Sequence, residues 1–285
     1  MSGNLYEIVT LKIIESLNRG VVPWKKPWHD SSKMPVNLVS NKPYRGVNPW
    51  LLSAGKFADH RWLTFKQAQE IGATVRTGEK STMVVFWKFP EQKMKETEEE
   101  LKVQTPVLRY YNVFNVEQID GLSLPDEPEQ HRLSDADRIG RAELFIDSMP
   151  NPPAIEERGT EAWYLPSRDL VRIPQLSSFD SIDSFYATKF HELVHSTGHK
   201  DRLNRSGVMV SIHFGSEEYS REELVAELGS AYCCSLLGLD GSHLEDSASY
   251  IDGWLKSLKA DPKAIVIASA QAQKAADYIR GVSYL

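Results

Sequence analysis

The sequence predicts an α+β protein of two domains, a small α+β domain over residues 1–125 and a second domain over residues 134–285. Charge is the first reason. Residues 1–90 hold 13 Lys and Arg against 6 Asp and Glu, a net of +7, so the remainder carries −13 to reach the overall −6. The second is the mixture of segments with helical period and short β-rich runs flanked by turn residues. The third is Leu122 to Leu133, where Pro125, Pro128 and three acids interrupt the pattern. A chain of 285 residues that is 41% hydrophobic can bury two modest cores or one large one.

The elements follow in order. Leu5, Ile8, Val9, Ile13 and Leu17 recur at helical spacing and predict a helix over residues 4–19, ending near Gly20. A Pro-, Trp- and Asn-rich loop runs from Pro23 through Trp28 to Gly46. Thr64 caps a short helix through Ile71, and Met83 to Phe89 and Val107 to Val116 form the strands of a hairpin. Between them, Glu91 to Glu100 reads as a solvated loop. Ser134 caps the first helix of the second domain. Ala162 to Leu165 and Leu170 to Ile173 read as strands around the turn Pro166 to Asp169, supplying an edge to which an extended peptide can add. A helix then starts at a cap on Asp183 or Ser184, buries Phe185, Tyr186, Phe190 and Val194, and stops at Gly198. A further helix carries Arg221 to Glu227 and continues through Leu228, Ala231 and Leu236.

His191 and His195 stand four residues apart, so one helix face presents both imidazoles to a single ion, with Glu192 beside the open position. This is the zincin arrangement: two histidines holding Zn²⁺, or another divalent metal in its place, and a glutamate acting as general base. The third ligand has two candidates. Asp201 completes a metzincin-like spacing, H-E-x-x-H-x-x-G-x-x-D. Glu223 shares a face of the apolar later helix with Glu227, and buried carboxylates require a cation or hydrogen bonds. Glu223 as ligand and Glu227 as the acceptor that orients a histidine N–H satisfy both. Cys233 and Cys234 lie about 100° apart around that helix and read as small buried hydrophobes in a reducing compartment, not as metal ligands.

Five of the seven tryptophans fall in the basic segment, interleaved with its cations. Cations that follow phosphates and rings that stack on bases are what single-stranded nucleic acid binding needs. The candidate DNA-binding residues are Trp24, Lys25, Lys26, Trp28, Arg45, Asn48, Arg61, Trp62, Lys66, Arg76 and Lys80. No apolar run has membrane-spanning length, and Met1 to Glu7 lacks the basic and apolar regions of a signal peptide. The expectation is a soluble, cytoplasmic protein without a membrane partner.

With these residues in place, Gly20 to Trp28, Pro43 to Asn48, Arg61 to Ala68 and Val113 to Gln118 resemble the N-terminal domain of the antirestriction protein ArdC family. His191 to Arg205, Arg221 to Glu227 and Tyr250 to Leu255 resemble its C-terminal zincin-like peptidase domain. The resemblance implies a plasmid- or phage-associated bacterial protein that binds single-stranded DNA, shields incoming DNA from restriction and carries a peptidase domain similar to the SprT-like proteases. It implies His191 and His195 as ligands and Glu192 as base, and favours Glu223 over Asp201 as the third ligand. Two readings follow: a DNA-tethered metallopeptidase with an unidentified protein substrate, the host restriction system being one candidate source, or a DNA-binding protein that protects by occupancy around a structural or inactive metal site.

Overall fold

A computed structural model describes residues 4–25, 33–54, 57–88, 107–124, 133–209, 217–240 and 248–282. The chain opens with α1 (Leu5–Asn18), whose cap Asn4 accepts the Tyr6 N–H. Gly20, at a φ of +73°, turns the chain out of it. β1 (Val36–Asn37), α2 (Asn48–Ser53) and β2 (Arg61–Thr64) follow. Thr64 then caps α3 (Phe65–Glu70) in a reciprocal capping box with Gln67. After β3 (Thr74–Val75), β4 (Thr82–Lys88) and β5 (Val107–Asn115) pair antiparallel from Thr82 opposite Val113 to Lys88 opposite Val107, the expected hairpin. These strands build a sheet of order β1-β2-β5-β4, and β6 (Ile119–Asp120) pairs with β3. The loop expected over Glu91 to Glu100 and most of the interruption between Leu122 and Leu133 lie outside the described residues.

Ser134 caps α4 (Asp135–Asp147) as expected. β7 (Ala154–Glu157), β8 (Trp163–Leu165) and β9 (Leu170–Ile173) form a three-stranded sheet with β9 in the middle, parallel to β7 and antiparallel to β8. The strand that leads toward the histidine helix is therefore central, and β8 supplies an edge. That helix, α5 (Ile182–Thr197), is capped two or three residues before the expected positions: Ser181 accepts the Ser184 N–H, and Ser184 returns the bond to the Ser181 N–H. α6 (Ser206–Met209), α7 (Glu217–Leu237), α8 (Ala248–Ala260) and α9 (Ala264–Ile279) complete the chain. No helix among the described residues is long and apolar enough to cross a membrane.

α7 packs against both α5 and α9, which also touch each other. At the α5–α7 crossing, Gly229 faces Val194, and the Ser230 hydroxyl donates to the Ala187 carbonyl at 2.7 Å. A Cβ at Gly229 would stand 2.6 and 2.8 Å from the two Val194 methyls, so only glycine permits this approach.

The largest core joins the N-terminal elements to these helices. Val9, Ile13, Leu17, Trp24 and Trp50 share it with Leu228, Tyr232, Trp254 and Ile265. Trp24 meets Trp254 edge-on at 5.3 Å between ring centroids, and Trp50 lies 4.6 Å from Tyr232. Polar contacts cross the same boundary: Thr10 donates to the Pro262 carbonyl at 2.7 Å, the Tyr232 hydroxyl donates to the Gly46 carbonyl, and Arg45 pairs with Asp277. Cys233 and Cys234 are free and fully inside α7, where burial pushes both thiols up. They are structural hydrophobes.

Candidate metal centre

α5 and α7 bring one donor atom from each of three side chains together. Nε2 of His191 and Nε2 of His195 lie 3.1 Å apart, and the Glu223 carboxylate stands 3.4 Å from the first and 3.6 Å from the second. Among the described residues this is the group of three whose donors fall within 4.8 Å of one another. A tetrahedral ion with ligands at about 2.0–2.1 Å holds its donors about 3.3 Å apart, so the triad fits a small divalent cation without rearrangement. Asp201 is elsewhere. It is exposed and sits beside His199, 3.5 Å from its Nδ1, which disposes of the metzincin-like ligand spacing in this fold.

The electrostatics favour a positive charge at this point. Burial alone would lower the His191 pKa and raise that of Glu223, but their hydrogen bond and the surrounding charges prevail. His191 is pushed up to about 10, with Glu227 and Glu192 adding to the effect of Glu223. Glu223 is held down to about 2 by His191 and His195. A proton thus occupies the role that a divalent ion would take over. Glu192 is buried one position along α5, close enough to contribute to the field at His191.

The Nδ1 atoms point away from the triad toward α7. Nδ1 of His195 is 3.3 Å from Glu222, whose other contacts are to Arg205: Nε at 3.1 Å and Nη2 at 2.6 Å. Arg205 also donates to the Thr197 hydroxyl at 2.6 Å and the Val194 carbonyl at 2.7 Å, closing the C-terminal turn of α5. Burial works against the Glu222 carboxylate, yet His195 and Arg205 lower its pKa. Glu227 stands 3.8 Å from Nδ1 of His191, beyond hydrogen-bond length, and burial raises its pKa. The orienting bond expected of Glu227 is thus made by Glu222, to the other histidine. Sequence reasoning missed Glu222 and Arg205. The available signal was the adjacent pair Glu222–Glu223, which a helix splits by about 100° onto two faces, in a segment apolar enough to bury both.

The tryptophan-and-cation reading needs correction residue by residue. Trp24 is 0% and Trp62 2% exposed, so neither ring offers a face to a base. Lys25 is buried too, and its charge acts on Glu227 near the triad. Asn48 is buried and exchanges both its amide hydrogen bonds with the Val85 backbone, at 2.7 Å each. Arg45 pairs with Asp277, Arg61 with Asp59 at 2.6 Å, and Arg76 with Glu79 at 2.9 Å and Asp120 at 3.5 Å. Lys66 and Lys80 are exposed, Lys66 lying 3.5 Å from Glu70. Lys26 and Trp28 lie outside the described residues. Most of this set therefore builds the fold and its inter-element contacts: Trp24 packs on Trp254 from the far end of the chain, and Trp62 is buried with Leu52, Val84 and Val113.

Comparison with known proteins accounts for both halves. Residues 3–114 match the family described as the N-terminal domain of anti-restriction factor ArdC, and residues 141–271 match the zincin-like metallopeptidase family. The crystal structure of antirestriction ArdC protein from the R388 plasmid, metal-free, is 36% identical with a TM-score of 0.77, covering 97% of each chain; its Mn(II)-bound structure gives 0.75 over the same coverage. The protein y4eC of Sinorhizobium fredii is 37% identical over 97% of this chain and 91% of its own length. Two DNA primase TraC proteins of Escherichia coli are 37% identical over 96% of this chain, which spans only 20% and 27% of their lengths. The chain belongs to the ArdC family of antirestriction proteins.

Proposed function

We propose that this protein is a DNA-tethered metallopeptidase of a mobile element that protects incoming DNA from restriction. His191, His195 and Glu223 hold Zn²⁺ or another divalent ion, and Glu192 is the general base. One observation carries the reading: two Nε2 atoms and a carboxylate converge at ion-sized spacing beside a buried glutamate that is not one of the three donors. A purely structural ion has no use for a base beside an open position. The Mn(II)-bound state of the R388 plasmid protein supports a divalent ion in this family.

A divalent ion bound by the triad supplies Lewis acidity toward a peptide carbonyl. The chain supplies the rest. Glu192 takes the proton of the attacking water and passes it to the leaving amine. Glu222, held by Arg205, fixes the ring of His195 so that Nε2 faces the triad. The edge strand β8 offers backbone groups to which an extended substrate can add.

The N-terminal domain binds single-stranded DNA and thereby concentrates the peptidase beside proteins that meet the entering strand, the host restriction system among them. The test of the centre is metal content after extensive dialysis. The wild type should hold about one divalent ion per chain and the double variant His191→Ala/His195→Ala none. Full occupancy in the double variant would remove the site.

A further inference from the structure

We infer that the base-stacking platform of the N-terminal domain is one face of the β4–β5 hairpin, built from Phe86 and Tyr111 and flanked by Lys88 and Arg109. This rests on the single-stranded DNA reading above. The pairing sets Val84 opposite Tyr111, Phe86 opposite Arg109 and Lys88 opposite Val107, so strand alternation places these four side chains on the same face. The Phe86 and Tyr111 rings stack diagonally across the strands, 4.5 Å between centroids and 6° from parallel. Tyr111 is 56% exposed.

Nearer the other end of the same face, Val84 and Val113 are buried with Leu52 and Trp62. Beyond them that packing stops, while the chain continues to place rings there. On the opposite face Trp87 is engaged by Tyr6 of α1, 6.2 Å between centroids. A cross-strand aromatic pair supports a hairpin wherever it lies; two flanking cations are not needed for that. Lys88 and Arg109 are exposed, and among the described residues neither is ion-paired, whereas Arg45, Arg61 and Arg76 are committed to carboxylates. An open aromatic plane between uncommitted cations fits unpaired bases on a phosphate backbone, and a duplex hides the faces it would use.

The test is fluorescence anisotropy of a labelled oligothymidylate of about 20 nucleotides with the full-length protein across a salt series. Tyr111→Ala and Phe86→Ala should each weaken binding by about 5- to 150-fold. Tyr111→Phe should retain affinity, and Tyr111→Ala should lower the melting temperature by no more than about 4 °C, the loss of one cross-strand pair. Arg109→Gln should flatten the slope of log affinity against log salt by about 0.7. If the wild type binds the oligonucleotide and both alanine variants bind equally well, the platform is wrong and the DNA reading stands. Absence of binding by the wild type overturns both. An equal loss toward a duplex of the same length would also overturn stacking as the basis.

Discussion

Replacing Gly229 with alanine tests whether the centre depends on the close approach of α5 and α7. In an isolated helix the change would stabilise by about 0.8–1 kcal/mol, because alanine is the better helix former. Here the added Cβ would lie 2.6 and 2.8 Å from both Val194 methyls, about 1 Å inside the ordinary carbon–carbon separation of about 3.5–4.0 Å. Val194 has no easy escape, since a β-branched side chain in a helix has one strongly preferred rotamer. The helices must therefore part. Overpacking of this kind costs about 1–3 kcal/mol, which outweighs the propensity gain. With about 2–4 °C per kcal/mol for a chain approaching this size, the melting temperature should fall by a few degrees. The effect on the ion should be larger. Val194 adjoins His195, Gly229 is about 9 Å along α7 from Glu223, and metal–ligand distances tolerate only about 0.2 Å. Calorimetry should show a lower melting temperature, and a competitive chelator titration weaker divalent binding; Val194→Ala in the same chain should recover much of the affinity by removing both methyls. A Gly229→Ala protein that melts higher and binds metal as the wild type does would refute the reasoning.

Four further outcomes follow from the same structure. Because His191 is raised to about 10, an entering ion displaces its proton, so affinity should rise about tenfold per pH unit through pH 7–9; a plateau just above an ordinary histidine pKa of about 6.5 would contradict the shift. In the metal-free protein, the contribution of His191 to stability is complete below about 6.5 and is lost as pH rises through about 10, while that of Glu223 is present above about 4.5 and is lost as pH falls through about 2; denaturant midpoints across pH measure both. Glu222→Ala strands the buried Arg205 guanidinium, so it should cost about 3–5 kcal/mol in stability and about 10- to 100-fold in metal affinity, with unchanged metal affinity the refuting result. Trp24→Ala should destabilise the whole chain by about 3–5 kcal/mol without changing the oligonucleotide affinity of the folded protein; a selective loss of DNA binding would restore the ring to a DNA-contacting role.

Much of this was legible in the sequence where the physics is local. The period of Leu5 to Leu17, the Thr64 cap, the β4–β5 hairpin and the exit of α5 at Gly198 are properties of neighbouring residues, and each lies within a residue or two of its expected place. The helical spacing of His191 and His195 and the shared face of Glu223 and Glu227 likewise need only the geometry of a helix. What a sequence window does not contain is the tertiary partner. Trp24 looks the same whether it meets a base or Trp254. Arg45 looks like a phosphate contact until Asp277 arrives beside it. The exchange of roles between Glu222 and Glu227 depends on the rotation of α7 about its axis, which Gly229, Ser230 and Arg205 set through contacts with α5 and the turn after it. The aromatic pair on the hairpin was passed over for the opposite reason: tyrosine and phenylalanine in a strand look like ordinary β-formers, and only the exposure of Tyr111, stacked on a half-buried Phe86, distinguishes them.

The most direct measurement is protection of unmodified plasmid DNA entering a restricting bacterial host that carries either the wild-type protein or Glu192→Gln, with metal content determined on the same purified variant. Removing the base while leaving the three donors intact should yield a folded, metal-loaded protein that no longer protects. Full protection by metal-loaded Glu192→Gln would contradict the peptidase reading and leave occupancy of the DNA as the mechanism.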